Sequence, residues 1–230
     1  SSDLRYGWTP PRPPSLCVCS KPLNVSHALS CPFGGFPTLR HNEVRDITAR
    51  ALRQVAHNVT VEPHLQPVTG EAFRHRTAVT EEQARLDVAA SGVWGGRFER
   101  IFIDVRVFNP FASSNRATSL AASYRRHEQE KRRKYEERVR EVEHASFVPV
   151  VLSASGGYGK HANALFTRIA SLLAEKSKEP YGQVISLLRC RLGFALVRCG
   201  AMCLRGSRSM FAPAMPESPA VLVAAEARIQ

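Results

Sequence analysis

Asp87 and Asp104 each stand inside an apolar run, Leu86-Asp-Val-Ala-Ala90 and Ile101-Phe-Ile-Asp-Val-Arg-Val-Phe108. A carboxylate in the middle of a buried strand is costly unless it is paired or holds a metal. Two of them on neighbouring strands, followed by a lysine-rich helix, describe a Mg2+ site for phosphodiester cleavage. Glu62 on the preceding strand and Glu43 in the first helix are candidate third members. The chemistry also needs a cation to meet the negative charge that develops on the phosphoryl group. After the strands, Leu120, Tyr124, Lys131, Tyr135 and Val142 recur at spacings of four and seven, which is one helical face. Lys131 is therefore expected to face the sheet, with Arg132 and Arg133 pointing outward. Arg106 lies two residues after Asp104 and so on the same side of its strand. It is the competing cation, although a guanidinium does not deprotonate and cannot carry a proton. Lys134 is a third choice. The competing structural readings are surface ion pairs, Asp104 with Arg106 and Asp87 with Arg85, and a solvated Lys131.

A second constellation lies near the start. Cys17, Cys19, His27 and Cys31 supply four N/S ligands within fifteen positions, the donor set of a structural Zn2+. His27 and Cys31 are one helical turn apart and can face a single ion. A segment this short has almost no core, so a metal would fold it. The other reading is a loop carrying thiols and a surface histidine. The six cysteines fall in two groups, and the histidine beside the first favours metal binding in a reducing compartment over disulfides. The remaining histidines pair with no nucleophile. Ser155-Gly-Gly-Tyr-Gly159 lacks a Walker lysine and reads as a helix-opening turn.

These residues need elements to hold them. Residues 1–16 form a Pro-rich lead-in, and 17–36 a Cys/His knuckle closing on the loop Phe33-Gly-Gly-Phe36. A helix is expected over about 38–57 with Thr38 as its cap, and a strand over 59–63. A polar, exposed loop should cover 66–82. Strands at about 84–91 and 100–108 are joined through Gly92–Gly96 as a hairpin. A long charged helix over 117–143, a strand over 147–153 and a helix ending near Lys178 complete a core at 37–178. A basic helix follows within 179–206, and the Pro-interrupted tail, 207–230, is expected to be disordered. The order helix, three strands, helix, strand, helix is an α/β fold.

Charge points to the partner. The formal net charge is +12 and the pI about 10.0, with a dense basic run from Arg125 to Arg140. Nucleic acid is the polyanion such a balance suits, DNA first and RNA second. A ribosomal or membrane-surface protein is the other reading. Arg189, Arg191 and Arg198 interrupt the apolar stretch 184–203, so no membrane partner is expected there. Residues 1–14 are polar and Pro-rich and do not read as a signal peptide. The sequence opens without Met and reads as a piece of something longer.

The order of these motifs resembles the restriction-like endonuclease domain at the carboxyl end of site-specific non-long-terminal-repeat retrotransposon reverse-transcriptase polyproteins. A knuckle (Cys17, Cys19, His27, Cys31) precedes Arg40-His-Asn42; then come Val61-Glu-Pro63, Leu86-Asp87, Ile103-Asp-Val-Arg-Val107 and Lys131-Arg-Arg-Lys-Tyr135. The resemblance covers about residues 15–153. It implies a PD-(D/E)xK fold that nicks DNA with Mg2+, in the nucleus, beside an upstream reverse-transcriptase domain. Asp87 and Asp104 would be metal ligands and Lys131 a catalytic lysine moved from strand to helix, with Glu62 and Arg106 in support. Arg40, His41, Arg125, Arg132, Arg133, Lys134 and Arg138 would position nucleic acid. Two rivals remain. One is a catalytically decayed, non-enzymatic nucleic-acid-binding module; the other is an RNA-binding knuckle on an inert scaffold.

Overall fold

The structure is a computed structural model that describes residues 15–206. The lead-in up to residue 14 and the tail expected to be disordered lie outside the described residues. After the cysteine turn comes a short helix, α1 (Val25–Ser30), opened by Asn24, whose side chain accepts from the His27 N–H. The next, α2 (Phe36–Arg53), starts two residues before the expected cap Thr38. Gly35 takes the left-handed N-cap conformation (φ 70) and Pro37 sits in the first turn, where its missing N–H costs nothing. The helix stops at Arg53 because His57 already enters a strand.

Four strands follow: β1 (His57–Val61), β2 (Val88–Ser91), β3 (Arg100–Phe108) and β4 (Ser146–Ser153). They form one open sheet in the order β1-β2-β3-β4. The first two pairings are antiparallel, and β3 runs parallel to β4 along eight residue pairs, Ile101↔Ser146 to Phe108↔Ser153. A parallel neighbour requires a crossover, supplied by α3 (Ser113–Arg116) and α4 (Leu120–Glu141). The single helix expected over 117–143 is present as α4 and begins at Leu120, because Ser119 caps it by accepting from the Ala122 N–H. Beyond β4 lie α5 (Lys160–Ser177) and α6 (Tyr181–Gly206). No described helix is long and apolar enough to cross a membrane.

The sheet is covered on both faces, which is why β2 and β3 read as near-continuous apolar runs. One face packs Val88, Ala90, Ile101, Ile103 and Val105 against Val44 and Leu52 of α2, Leu165 and Phe166 of α5 and Leu192 and Leu196 of α6. On the other, Ala89 and Phe102 meet Tyr135 and Val139 of α4, and Phe108 meets Tyr124. By the two-residue period, Asp104 and Arg106 belong to this α4 face, between Phe102 and Phe108. Leu120, expected on the inward stripe, is exposed at the first turn of α4.

The segment 66–82 is not a free exposed loop. Val79 is buried, its N–H bonds the Lys134 carbonyl, and the guanidinium of Arg138 donates to the carbonyls of Gln66, Val79 and Glu81.

Candidate functional site

Asp87 sits at the bend immediately before β2, not within the strand. It is one residue beyond the pair Val88↔Ile103, and its N–H bonds the Ile103 carbonyl at 3.1 Å. That register sets it across from Asp104, and facing residues of an antiparallel pair share one side of the sheet. One oxygen of Asp87 accepts from the Val105 N–H at 2.5 Å, and the other lies 2.9 Å from His41 Nε2 on α2. Asp104 is 6% exposed, and Lys131 brings its Nζ to 2.6 Å from a carboxylate oxygen. Burial raises the Asp104 carboxyl above its ordinary value; Lys131 pulls it down while the Asp87 charge adds to the rise. Tyr135 lies beneath, its ring centre 5.7 Å from Lys131 Nζ and 5.1 Å from Lys134 Nζ. Burial and the nearby Asp104 push its phenol up.

The other acidic candidates stand apart from this pair. Glu62 donates its N–H to the Asp87 carbonyl at 2.9 Å, but its carboxylate is turned to Arg45 of α2, with Arg85 at 3.9 Å. Glu43 is not in the site: it pairs with Arg198 of α6 at 2.8 Å, on the opposite face of the sheet. Arg106 contacts neither aspartate through a salt bridge; it pairs with Glu130 of α4 at 3.0 Å. The competing pairs Asp104–Arg106 and Asp87–Arg85 do not form; the structure pairs Asp104 with Lys131 and Glu62 with Arg85.

The basic set divides. Arg125, Arg133 and Lys134 are exposed along α4, and Arg132 is exposed but tied to Glu136 at 2.8 Å. Arg40 and Arg138 leave the nucleic-acid set because both are buried, at 3% and 0% exposure. Arg40 donates to the Leu29 carbonyl at 3.2 Å and so joins α2 to α1, while Arg138 holds the 66–82 segment. His41 belongs with the carboxylates. Its contact with Asp87 spans 46 residues and has no periodic signal; only its place beside Arg40 in the first turns of α2 singled it out. Glu128, unremarked in the sequence, is buried and accepts the His161 N–H at 3.0 Å, capping α5 where Gly159 offers no side chain. A Cβ on Gly159 would meet that carboxylate at 2.5 Å.

The cysteine segment gathers as its spacing requires. The ligand atoms of Cys17, Cys19, His27 and Cys31 all lie within 4.8 Å of one another. Cys31 Sγ is 3.7 Å from Cys19 Sγ, and His27 Nε2 is 3.2 Å from Cys19 Sγ. Two sulfurs on a tetrahedral zinc, each at about 2.3 Å, stand about 3.8 Å apart. The donor set and spacing therefore fit a structural metal of the zinc type. Burial raises the Cys17 thiol, but hydrogen bonds from the Cys19 backbone, His27 and its neighbour thiols win and bring it down to about 6. Burial, with Cys17 charged beside it, pushes Cys31 up to about 11. The knuckle is docked on the core: Asn109, directly after β3, donates to the Ser26 carbonyl and the Ser30 hydroxyl, both at 2.9 Å.

These features define a class: an open-sheet α/β protein of nuclease-like architecture carrying a Cys/Cys/His/Cys cluster able to hold a structural metal. No family model matches the chain, and no curated protein matches it.

Proposed function

We propose that the chain is a Mg2+-dependent DNA endonuclease of the PD-(D/E)xK type, the nicking domain of a retrotransposon reverse-transcriptase polyprotein. The observation that carries this reading is the opposition of Asp87 and Asp104 on one sheet face, with Lys131 Nζ 2.6 Å from Asp104. A buried carboxylate with a specific charge partner is the kind of arrangement that functional sites use to tune their acids and bases.

The donor set suits Mg2+, which binds through one or two carboxylates and keeps waters or phosphate oxygens for the rest. Asp104 resists ionisation through burial and the Asp87 charge, a strain that a divalent cation between the two would relieve. When bound, Mg2+ supplies Lewis-acid polarisation of the phosphodiester. The residues do the rest. His41 and the Val105 N–H fix the two oxygens of Asp87. Lys131 has three donors; one serves Asp104, and the others are available to a phosphoryl oxygen or to the attacking water. Arg125, Arg133 and Lys134 would hold the duplex through phosphates, which position DNA without reading it. In this setting the domain works in the nucleus, on target DNA, beside an upstream reverse-transcriptase domain.

A second reading, a non-enzymatic nucleic-acid-binding module, is favoured by one feature: Glu62 is turned to Arg45, leaving only two carboxylates in the site. Nicking of supercoiled plasmid separates the two. Wild type should convert it to open circles with Mg2+, and neither Asp87→Ala nor wild type without Mg2+ should do so. Salt-sensitive binding with no nicking in any of the three moves the assignment to the binding module.

A further inference from the structure

The loop that joins β2 to β3 is anchored at its base and bare at its tip. At the base, the Gly92 N–H bonds the Glu99 carbonyl at 2.9 Å. Gly92 has φ +83, and a Cβ there would meet the His57 ring at 3.3 Å and the Arg97 carbonyl at 3.4 Å, so the turn needs glycine. Val93 is fully buried, and its carbonyl accepts from Arg168 Nε of α5 at 2.8 Å. Residues 94–99 are all exposed. Phe98 is 88% exposed and Trp94 37%, with Arg97 between them. A fixed loop that holds two aromatics in water gains nothing from them in folding, and such a patch marks a contact surface.

We propose that this tip is a nucleic-acid contact in which Trp94 and Phe98 stack on bases, or wedge a base step, while Arg97 meets a phosphate. Aromatic rings beside a cation form the platform that takes unpaired or partly unstacked bases, because every base has a π face. Arg100, at the start of β3, is turned away from the tip, over the Phe102 ring and 3.7 Å from Glu143, so Arg97 is the cation of the tip, and Glu99 is the only acidic residue of the loop. The whole chain carries a formal +12, which selects a polyanion over a neutral protein surface.

The placement also gives a distance, and this part rests on the endonuclease reading. From Arg100, where β3 begins, to Asp104 is four positions, about 13 Å of strand at about 3.3 Å per residue, and the tip lies beyond that start. Duplex DNA rises about 3.4 Å per base pair. The tip would therefore engage DNA at least about four base pairs from the bond cut at Asp87 and Asp104.

Trp94 is its own reporter. The chain has two tryptophans, so a Trp8→Phe protein emits from Trp94 alone. It would be titrated with a 30-base-pair duplex, with the same duplex carrying a two-nucleotide gap, and with vesicles of anionic phospholipid. We expect quenching by DNA, stronger with the gapped duplex. Phe98→Ala and Trp94→Ala should each weaken DNA binding about tenfold; Phe98→Ala should leave the melting temperature unchanged. No change of emission at any DNA concentration overturns the proposal. So does unchanged affinity in both variants, or a response to vesicles alone. Quenching without nicking in the plasmid assay sinks the endonuclease and keeps the tip; nicking without quenching does the reverse.

Discussion

The ammonium of Lys131, in the middle of α4, lies 2.6 Å from a carboxylate oxygen of Asp104, in the middle of β3. The pair joins the crossover helix to the sheet where apolar contact on the α4 face gives way to charge, with Arg106 and Glu130 paired beside it. Phe102 and Phe108 flank it on the strand, and Tyr135 closes it on the helix.

Removing Lys131 alone should cost more than removing both partners. Lys131→Met leaves a carboxylate in an apolar setting without its cation, which typically costs about 3 kcal/mol. Lys131→Met with Asp104→Asn removes the charge as well and should recover most of that loss. Urea unfolding of the two single variants and the double variant gives the coupling directly. Additive losses would mean that the contact is incidental.

The Asp104 carboxyl has a distinct pH signature. Its folded pKa is raised above the unfolded value by burial and by Asp87, so the native state keeps the proton longer. Stability from this group is then complete below the unfolded pKa and falls as pH rises toward the folded one. Asp104→Asn, which cannot ionise, should melt higher than wild type at neutral pH and match it in acid. The same variant should nick at least about 1,000-fold more slowly, since a metal carboxylate is worth several kcal/mol in the transition state. Thermal melts from pH 3 to 8 test the first claim; a neutral-pH melt equal to or below wild type rejects it.

How much of this was legible in the sequence follows from the range of each interaction. The α/β order, the inward Lys131 and the cysteine cluster rest on local periods and short spacings, and all three stand in the structure. Helix ends were less legible, because caps depend on single residues: Gly35 and Pro37 moved the start of α2, and Ser119 moved the start of α4. Long-range partners carried no pattern at all. Arg40 and Arg138 looked like two more basic side chains in basic segments, yet both are buried, because backbone carbonyls meet their guanidinium groups, Leu29 of α1 for Arg40 and the 66–82 segment for Arg138. Glu43 fell to Arg198, 155 residues away.

Arg138 illustrates the difference experimentally. Its guanidinium satisfies three carbonyls of the 66–82 segment, so Arg138→Ala leaves buried acceptors unpaired and should cost about 3 kcal/mol. Arg138→Lys should rescue little, because a single ammonium nitrogen cannot take the places of the two guanidinium nitrogens that reach Val79 and Glu81 on one side and Gln66 on the other. Neither change should alter the salt slope of DNA binding. Arg133→Ala, on the exposed side of the same helix, should leave stability unchanged and lower that slope by about one. Equal effects on the slope from both positions would return Arg138 to the DNA surface.

The cysteine cluster should set the stability of more than the knuckle. Its own buried apolar residues in α1 are only Ala28 and Leu29, a small core for a segment of this length, and a metal held by the cluster would supply the difference. Yet Arg40 bonds Leu29, and Asn109 bonds Ser26 and Ser30, and Asn109 lies five residues from Asp104 on the same chain. Losing the metal should therefore lower the melting temperature of the whole domain, not release an independent segment. The pH dependence follows from the thiols. Cys17, brought down to about 6, is already charged at neutral pH and ready to bind. Below about 6 a proton competes with the metal at that sulfur, so affinity should fall at least about tenfold per pH unit. Cys31, pushed up to about 11, must release its proton at neutral pH, and binding should acidify the medium accordingly. The measurement is zinc content of the purified protein, followed by calorimetric titration of the apo form at pH 5, 6 and 7. One zinc per chain with a steep acid fall is expected, and Cys31→Ser should retain less than a tenth of the affinity. A metal-free protein whose melting point ignores both added zinc and a chelator would leave the cluster as four side chains gathered by packing alone.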